Sequence, residues 1–127
     1  MKISIVIPVY YNQDNLVPLY QDIEQKVFTN ADYDWEIVMV NDGSRDDSWQ
    51  VMQRLADSDP RIRIYSLSRN FGSHAAILAG LSRCTGDCAV TKAADLQEPT
   101  ELVLEMAERW RQGNNVVLAV RQDRQEG

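Results

Sequence analysis

Hydrophobic positions along the chain follow two periods in alternation, one typical of buried strands and one typical of amphipathic helices. Residues 2–9 read KISIVIPV, an almost continuous apolar run that favours a strand buried on both faces of a parallel sheet. Apolar side chains then recur at spacings of three and four from Leu16 to Val27, which predicts a helix with one buried side. The chain therefore begins with a strand followed by a helix.

The same criteria divide the rest of the chain, with glycine or proline at several of the boundaries. They predict strands at 35–40, 62–67, 88–92 and 116–120, and helices through 49–56, 74–81 and 99–112. Short connections between alternating strands and helices indicate an α/β fold, a mostly parallel sheet with right-handed crossovers and helices on both faces. We expect residues 1–127 to form one domain with an incomplete sheet, because nothing seals the edge after the fifth strand.

Composition and charge exclude several classes of function. The 127 residues carry a formal net charge of −6, which disfavours binding to a nucleic-acid backbone. No apolar run approaches the roughly 18 residues that cross a bilayer, so we expect a cytoplasmic chain. Cys84 and Cys88, with His74 as the single histidine, do not make a zinc site, and we expect both thiols to be reduced.

Polar side chains are concentrated where four of the predicted strands end. The segments are YYN at 10–12, NDGS at 41–44, SRN at 68–70 and ADLQ at 94–97. Because the carboxyl ends of parallel strands meet at one edge of a sheet, we expect these loops to line one crevice. Arginine side chains bind phosphate groups, and an acid together with an amide can bind the Mg²⁺ or Mn²⁺ ion that accompanies a diphosphate. A carboxylate can also accept a hydrogen bond from an N–H group of a nucleotide base. The combination predicts a nucleotide-diphosphate site.

Each of these signals also has an ordinary structural explanation. The sequence Asp42-Gly43-Ser44 is most often a turn with a helix cap, and Asp95 can be a cap near Pro99. His74 is more often a packed or surface histidine than a catalytic one. The glycine patterns GxxxxGK[ST] and GxGxxG are absent, which argues against ATPase and dinucleotide-binding functions.

In their order and spacing, the loops resemble family 2 glycosyltransferases with the GT-A fold, a Rossmann-like α/β arrangement. The resemblance is carried by IVIPVYYNQDNL, IVMVNDGSRDDS, LSRNFGSHAAILAGL, CTGD and KAADLQEP, and it covers residues 2–124. It is closest to the branch that transfers a sugar from a nucleotide diphosphate to a dolichyl or undecaprenyl phosphate, both polyprenyl phosphates. The resemblance implies an inverting enzyme in which a base activates the acceptor oxygen and a metal stabilises the leaving diphosphate.

The resemblance also assigns roles to residues at the strand ends. Asp42 would read the edge of the base, and Arg69 would lie against the nucleotide and the donor sugar. Asp95 matches the second acid of the family's Asp-x-Asp motif, so it is the expected catalytic residue and would bind Mg²⁺ or Mn²⁺ together with Gln97. The residues expected to contact the nucleotide sugar are Pro8, Val9, Tyr10, Asn12, Asp42, Ser44, Arg69, Asn70, Gly72 and Asp95.

The chain departs from the family pattern in two respects. Ala93 replaces the first acid of Asp-x-Asp, so we expect the metal to be bound more weakly. Members of the family are also longer, and their later part carries the acceptor site and the catalytic base. We therefore expect this chain to be the N-terminal, nucleotide-sugar-binding part, with little transferase activity alone and with self-association through an exposed sheet edge.

We weigh three functions against the sequence. The leading hypothesis is a glycosyltransferase that uses a UDP- or GDP-sugar at the cytoplasmic face of the membrane to build cell-envelope polysaccharide. The alternative is a nucleotide-sugar-binding module or a degenerate homologue without turnover, which Ala93 favours. A flavodoxin-like signalling domain would need an acidic phosphoacceptor cluster and a lysine on the fifth strand, but residues 116–120 read VVLAV.

Overall fold

A computed structural model of the chain describes residues 2–30, 32–95 and 99–112. Strands and helices alternate as the sequence predicts. The strands are β1 (Lys2–Val9), β2 (Asp34–Asn41), β3 (Ile62–Ser66) and β4 (Cys88–Thr91). The helices are α1 (Leu16–Lys26), α2 (Ser48–Ser58), α3 (Ser73–Leu81) and α4 (Glu101–Arg111). The fifth predicted strand, at 116–120, lies outside the described residues.

The four strands form one parallel sheet in the order β3-β2-β1-β4. Strand β1 is central: it pairs with β2 along its whole length and with β4 on its other side, from Ile3 opposite Cys88 to Val6 opposite Thr91. This position explains why residues 3–7 are all buried and why the strand shows no polar alternation. The direction of winding reverses between β1 and β4, and ligands of such sheets bind beyond the carboxyl ends of the strands near this reversal.

Helices cover both faces of the sheet, as predicted. Helices α1, α2 and α4 pack on one face, where Leu19, Met52 and Val103 belong to one hydrophobic core with the alternate residues of β1. Helix α3 packs on the other face through Ala76 and Gly80. A side chain at Gly80 would lie 2.6 Å from a methyl carbon of Val6, so glycine is required for this close approach.

The start of the last predicted helix needs correction. Helix α4 begins at Glu101 rather than at Pro99, and Thr100 occupies the N-cap position. At the start of α1, the side chain of the N-cap residue Asn15 forms no capping hydrogen bond. No helix within the described ranges is long and apolar enough to cross a bilayer.

A cluster of charged and polar side chains around the buried Glu36 lies near the amino-terminal edge of the sheet. The Glu36 carboxylate accepts hydrogen bonds from the Ser4 hydroxyl at 2.5 Å, the Thr85 amide at 2.7 Å and the Arg63 guanidinium at 3.0 Å. Burial opposes ionisation of Glu36, but the hydrogen bonds from Ser4 and Thr85 and the charge of Arg63 outweigh it and lower the pKa to about 2. The cluster links β1, β2 and β3 to the segment that precedes β4.

Candidate functional site

The carboxyl ends of β1, β2 and β3 open into a cavity of about 750 Å³. This volume lies within the range of small-molecule binding sites. Each strand contributes its following loop, and α2 contributes its first turn. The aromatic and polar side chains around the cavity include Tyr10 and Tyr11 after β1, Ser44 and Arg45 after β2, Trp49 on α2, and Arg69 and Asn70 after β3.

The turn after β2 connects the loops around the cavity. Asn41 accepts a hydrogen bond from the Ser44 amide at 3.1 Å and donates one to the Ser66 hydroxyl at 3.2 Å. The Ser44 hydroxyl in turn accepts a hydrogen bond from the Tyr11 amide at 2.9 Å. The turn therefore joins the ends of all three strands.

Asp42 holds the loop after β3 in place. Its carboxylate is 3% exposed and accepts hydrogen bonds from the amides of Phe71 and Gly72, at 2.8 and 3.1 Å, and from the Asn70 side chain at 3.2 Å. Gly43 brings the two loops together, because a Cβ atom there would lie 2.3 Å from the Asn70 backbone nitrogen. Its φ of +73° also favours glycine. The conformation of residues 70–72 thus depends on the Asp42-Gly43 pair.

The loop after β1 presents two aromatic side chains to solvent. Tyr10 and Tyr11 are about half exposed, and their rings contact edge to face with centroids 4.6 Å apart. Tyr11 adopts a left-handed conformation, with φ of 55°, and its amide is held by Ser44. Asn12 stabilises the turn because its side chain accepts a hydrogen bond from the Tyr10 amide, while its own amide donates to Ser48.

The cavity has an electropositive side. Arg45 and Arg69 both line it and both are exposed. Within the described ranges, neither guanidinium forms an ion pair with a carboxylate. Arg69 lies over the Phe71 ring, 4.2 Å from its centroid. Two guanidinium groups of this kind suit a phosphorylated ligand, because arginine binds phosphate through two parallel hydrogen bonds.

The described residues at the end of β4 are not among those that line this cavity. Asp95 is half-buried and also does not line a second cavity at this edge of the sheet. The second cavity has a volume of about 340 Å³ and is bounded by Pro8, Ser73, Ala93 and the apolar side of α4. Gln97, the other predicted metal ligand, lies outside the described residues.

The structure brings together part of the predicted site. Tyr10, Ser44, Arg69 and Asn70 line the larger cavity, and Asn12, Asp42 and Gly72 hold its loops. Pro8 lies at the second cavity, and Val9 is part of the hydrophobic core. The roles assigned to these residues toward a ligand stay predictions.

Tyr11 lines the cavity as the YYN segment predicted, whereas sequence reasoning missed other lining residues, namely Arg45, Asp46, Trp49, Gln50, Ser66 and Leu67. Arg45 directly follows NDGS, so its position in the loop was the available signal. Trp49 falls on the apolar side of the α2 pattern, and it does pack against the core as well as line the cavity. Hydrophobic periodicity alone does not indicate that a core residue such as Trp49 also lines a cavity.

Among the described residues, no group of three or more His, Cys, Asp or Glu side chains could hold a metal ion. In that part of the chain, the end of β4 offers the Asp95 carboxylate as a metal ligand, whereas Ala93 has no side-chain oxygen. Mg²⁺ is commonly held by one or two carboxylates together with substrate phosphates. Asp95 therefore fits a metal site that a bound diphosphate would complete.

Comparison with known proteins gives a family match over nearly the whole chain. The model of glycosyl transferase family 2 matches residues 4–127. A prophage bactoprenol glucosyl transferase homolog of Escherichia coli K12 is 40% identical over 124 residues, which are 98% of this chain and 40% of that protein. An undecaprenyl-phosphate 4-deoxy-4-formamido-L-arabinose transferase of Pseudomonas syringae is 43% identical over 98% of this chain and 37% of its own length. The chain thus spans about two fifths of the length of these relatives.

Two solved structures with low sequence identity have the same fold. Staphylococcus aureus TarS, residues 1–349, superimposes with a TM-score of 0.70 at 19% identity, covering 88% of this chain and 33% of that chain. The mannosyltransferase PcManGT of Pyrobaculum calidifontis, in complex with GDP-Man and Mn²⁺, gives a TM-score of 0.65 at 20% identity, covering 73% and 27%. The predicted GT-A type of α/β fold is confirmed.

Proposed function

Because the chain belongs to glycosyl transferase family 2, we propose that it is the nucleotide-sugar-binding part of a glycosyltransferase and that the larger cavity holds the nucleotide diphosphate. The observation that carries this proposal is the pair of arginines, Arg45 and Arg69, which line the cavity without a carboxylate partner in the described ranges. A diphosphate supplies the missing negative charge. The tyrosines after β1 supply an aromatic wall for the nucleoside.

The reaction is the transfer of a sugar from a UDP- or GDP-sugar to a polyprenyl phosphate, with inversion at the anomeric carbon. The names of the similar proteins, which include bactoprenol and undecaprenyl-phosphate transferases, support this acceptor. The complete enzyme would act at the cytoplasmic face of the membrane in the assembly of cell-envelope polysaccharide. As the bond to the sugar breaks, negative charge grows on the leaving diphosphate, and fixed guanidinium groups stabilise that charge.

The residues at the strand ends have separate tasks in this proposal. Tyr10 lines the nucleoside pocket, Asp42 holds the loop of residues 70–72 beside it, and Arg69 binds the diphosphate. Mg²⁺ or Mn²⁺ would be held by Asp95 and by oxygens of the diphosphate, with Gln97 as a further ligand, and would neutralise the leaving group. Ala93 weakens this metal site by removing one carboxylate. The presence of Mn²⁺ in the complex of PcManGT supports a divalent cation.

Isothermal titration calorimetry with UDP-glucose and GDP-mannose, in the presence of Mn²⁺, tests the binding step. One of the two should bind, and Arg69→Ala should weaken it roughly tenfold to a hundredfold by removing charge-assisted hydrogen bonds. Arg83→Ala is the matched control, because Arg83 is also exposed and stacks on an aromatic ring, that of Tyr65, but does not line the cavity. Equal losses in the two variants, or no binding of either nucleotide, would contradict the proposal.

A second candidate function is nucleotide-sugar binding without turnover, which the alanine at position 93 favours. Incubation of the full-length protein with labelled UDP-glucose and undecaprenyl phosphate separates the two candidates. Transfer of label into the lipid fraction supports the enzyme, and tight binding without transfer supports the binding module. Self-association through β3 and β4, the outer strands of the sheet among the described residues, is a further proposal, which a monodisperse monomer in light scattering would rule out.

A further inference from the structure

Helix α3 is apolar on nearly all sides, but only one side packs against the sheet. From Ala75 to Leu81 it reads AAILAGL, and its buried residues Ala76 and Gly80 face β1 and β2. On the outer side, Leu78 is 67% exposed and Leu81 is 40% exposed. A helix that is apolar all round is normally covered on all sides. Within the described part of the chain, the outer side of α3 has no such cover.

The exposed apolar surface continues beyond the start of the helix. Phe71, two residues before α3, is 49% exposed, and the Arg69 guanidinium lies over its ring. We refer to the side chains of Phe71, Leu78 and Leu81 as the α3 face. The described residues expose six large apolar side chains, and three of them belong to this face, so exposed apolar area is concentrated there.

The charge around the α3 face differs in sign from that of the whole chain. Residues 60–86 contain four arginines and no Asp or Glu, whereas the chain has a formal net charge of −6. Two of these arginines are paired with carboxylates outside that range, Arg61 with Asp59 and Arg63 with Glu36. Arg69 precedes α3 and Arg83 follows it, and both are exposed and form no ion pair within the described ranges. Positive charge therefore flanks the apolar face.

This combination suits an anionic membrane surface. Exposed leucine and phenylalanine side chains enter the boundary between lipid headgroups and acyl chains, and arginines contact the lipid phosphates. A second copy of the chain on the same face would bring the arginines of both copies together, which is unfavourable for like charges. A nucleic acid would bind the positive charge but would leave the leucines uncovered.

We propose that the α3 face docks on a membrane that carries anionic lipid headgroups. The proposal goes beyond the function proposed above, because it requires neither nucleotide binding nor sugar transfer. Arg69 contacts the Phe71 ring of the α3 face and also lines the larger cavity. Docking therefore brings the nucleotide cavity beside the bilayer, where a polyprenyl phosphate resides.

Vesicle co-sedimentation of the complete 127-residue chain tests the proposal. The vesicles are made of phosphatidylcholine alone, or of phosphatidylcholine and anionic phosphatidylglycerol in equal amounts. The chain should partition at least about tenfold more strongly onto the anionic vesicles, because each arginine near an anionic surface adds to binding. Added salt should weaken this binding, since it screens exposed charges.

Two pairs of variants locate the binding surface, and circular dichroism confirms that each is folded. Leu78→Gln should lower the partition onto anionic vesicles about tenfold, because the leucine no longer gains from burial in lipid. Its control is Val17→Gln, which removes an exposed apolar side chain of α1, on the opposite face of the sheet. Arg83→Gln should lower the partition about fivefold. The same change at Arg54, exposed on α2, is its control. Both controls should stay within about twofold of the unaltered chain.

Hydroxyl-radical footprinting of Leu78 identifies what covers the α3 face. Oxidation of Leu78 should be rapid in the free chain and slow with anionic vesicles, while oxidation of Val17 should not change. The proposal is overturned if the chain does not bind anionic vesicles, if the variants bind as well as their controls, or if Leu78 is already protected without vesicles. Protection without vesicles that rises with protein concentration would identify a second copy as the occupant, and protection independent of concentration another segment of the protein. None of these outcomes depends on nucleotide binding, so the proposed function is tested separately.

Discussion

Two buried carboxylates lie toward opposite ends of one strand, Glu36 near the start of β2 and Asp42 directly after its end. They are almost equally inaccessible, at 4% and 3% exposure. Glu36 is paired with the Arg63 guanidinium at 3.0 Å. Asp42, within the described part of the chain, accepts hydrogen bonds from the uncharged donors of residues 70–72 and forms no ion pair.

The comparison shows that burial alone does not separate a structural acid from one that serves a binding site. Glu36 has its counter-charge within its own cluster, so nothing further is needed there. Asp42 organises the loop in which Arg69 lies. Arg69 lines a cavity together with Arg45 and Asp46, and among the described residues it forms no ion pair. The unbalanced charge marks the carboxyl-terminal edge of the sheet as the functional one.

Removal of Glu36 should have the largest effect on stability. Glu36→Ala removes the anionic partner of the partly buried Arg63 guanidinium and the acceptor of the Ser4 hydroxyl, so we expect the free energy of unfolding to fall by about 3–5 kcal/mol. Urea denaturation followed by circular dichroism measures this change. Glu105→Ala, which breaks an exposed pair with Arg109, is the control and should cost less than about 1 kcal/mol. Similar losses of unfolding free energy in the two variants would show that Glu36 is not a structural acid, and the comparison with Asp42 would fail.

Low pH should destabilise the protein because the Glu36 carboxylate becomes protonated. The pKa of Glu36 is about 2 in the folded chain and about 4.5 ordinarily. Because the folded value is the lower one, its contribution is fully present above pH 4.5 and is lost as the pH falls toward 2. We expect this contribution to be about 3 kcal/mol, measured as unfolding free energy against pH. The profile of Glu36→Gln should be flatter over this interval, and an unchanged profile would contradict the assignment.

Gly43→Ala should disturb the opposite end of β2. The new methyl group would collide with the Asn70 backbone nitrogen, and the positive φ adds strain. We therefore expect the free energy of unfolding to fall by about 2 kcal/mol or more and the nucleotide to bind more weakly. Gly80→Ala is the control, because a Cβ atom there also collides, 2.6 Å from a Val6 side-chain carbon, but Gly80 does not line the cavity. Calorimetric titration should show a larger loss of affinity for Gly43→Ala, and the reverse order would contradict the coupling of the two loops.

Asp42→Asn should have the smallest effect on stability, about 1–2 kcal/mol, because one of the two acceptor oxygens remains. Hydrogen exchange at the amides of Phe71 and Gly72 should become faster, since both donate to this carboxylate. Asp46→Asn is the control, because Asp46 accepts a hydrogen bond from Ser48 at the start of α2. Unchanged exchange in Asp42→Asn would show that the loop is held by other contacts, and the comparison with Glu36 would fail.

The sequence predicted the order and type of the elements through α4 because these depend on local periodicity. The run KISIVIPV is typical of a strand buried on both faces, and β1 is the central strand. The convergence of the loops after β1, β2 and β3 was also predictable, since it follows from the parallel direction of the strands. The start of α4 was placed too early, at Pro99, because proline suits both the first helical position and the residues just before a helix begins.

The contacts between loops were beyond the reach of sequence reasoning. Asp42 and Gly72 are 30 residues apart, and no local pattern indicates that one holds the other. The same holds for Lys92, which reads as the polar end of a strand but is buried and bonded to the loop that comes after it. Such contacts depend on distances between elements, which periodicity does not contain.

By itself, the sequence determined the parallel α/β class, the edge of the sheet where polar loops collect and the family to which these loops belong. These properties follow from side-chain spacing along the chain and from the fixed direction of parallel strands. Only the tertiary structure decided how each buried charge is accommodated. Glu36, Asp42 and Lys92 are all buried ionisable residues, and their surroundings differ because residues far apart in the chain pack around each of them.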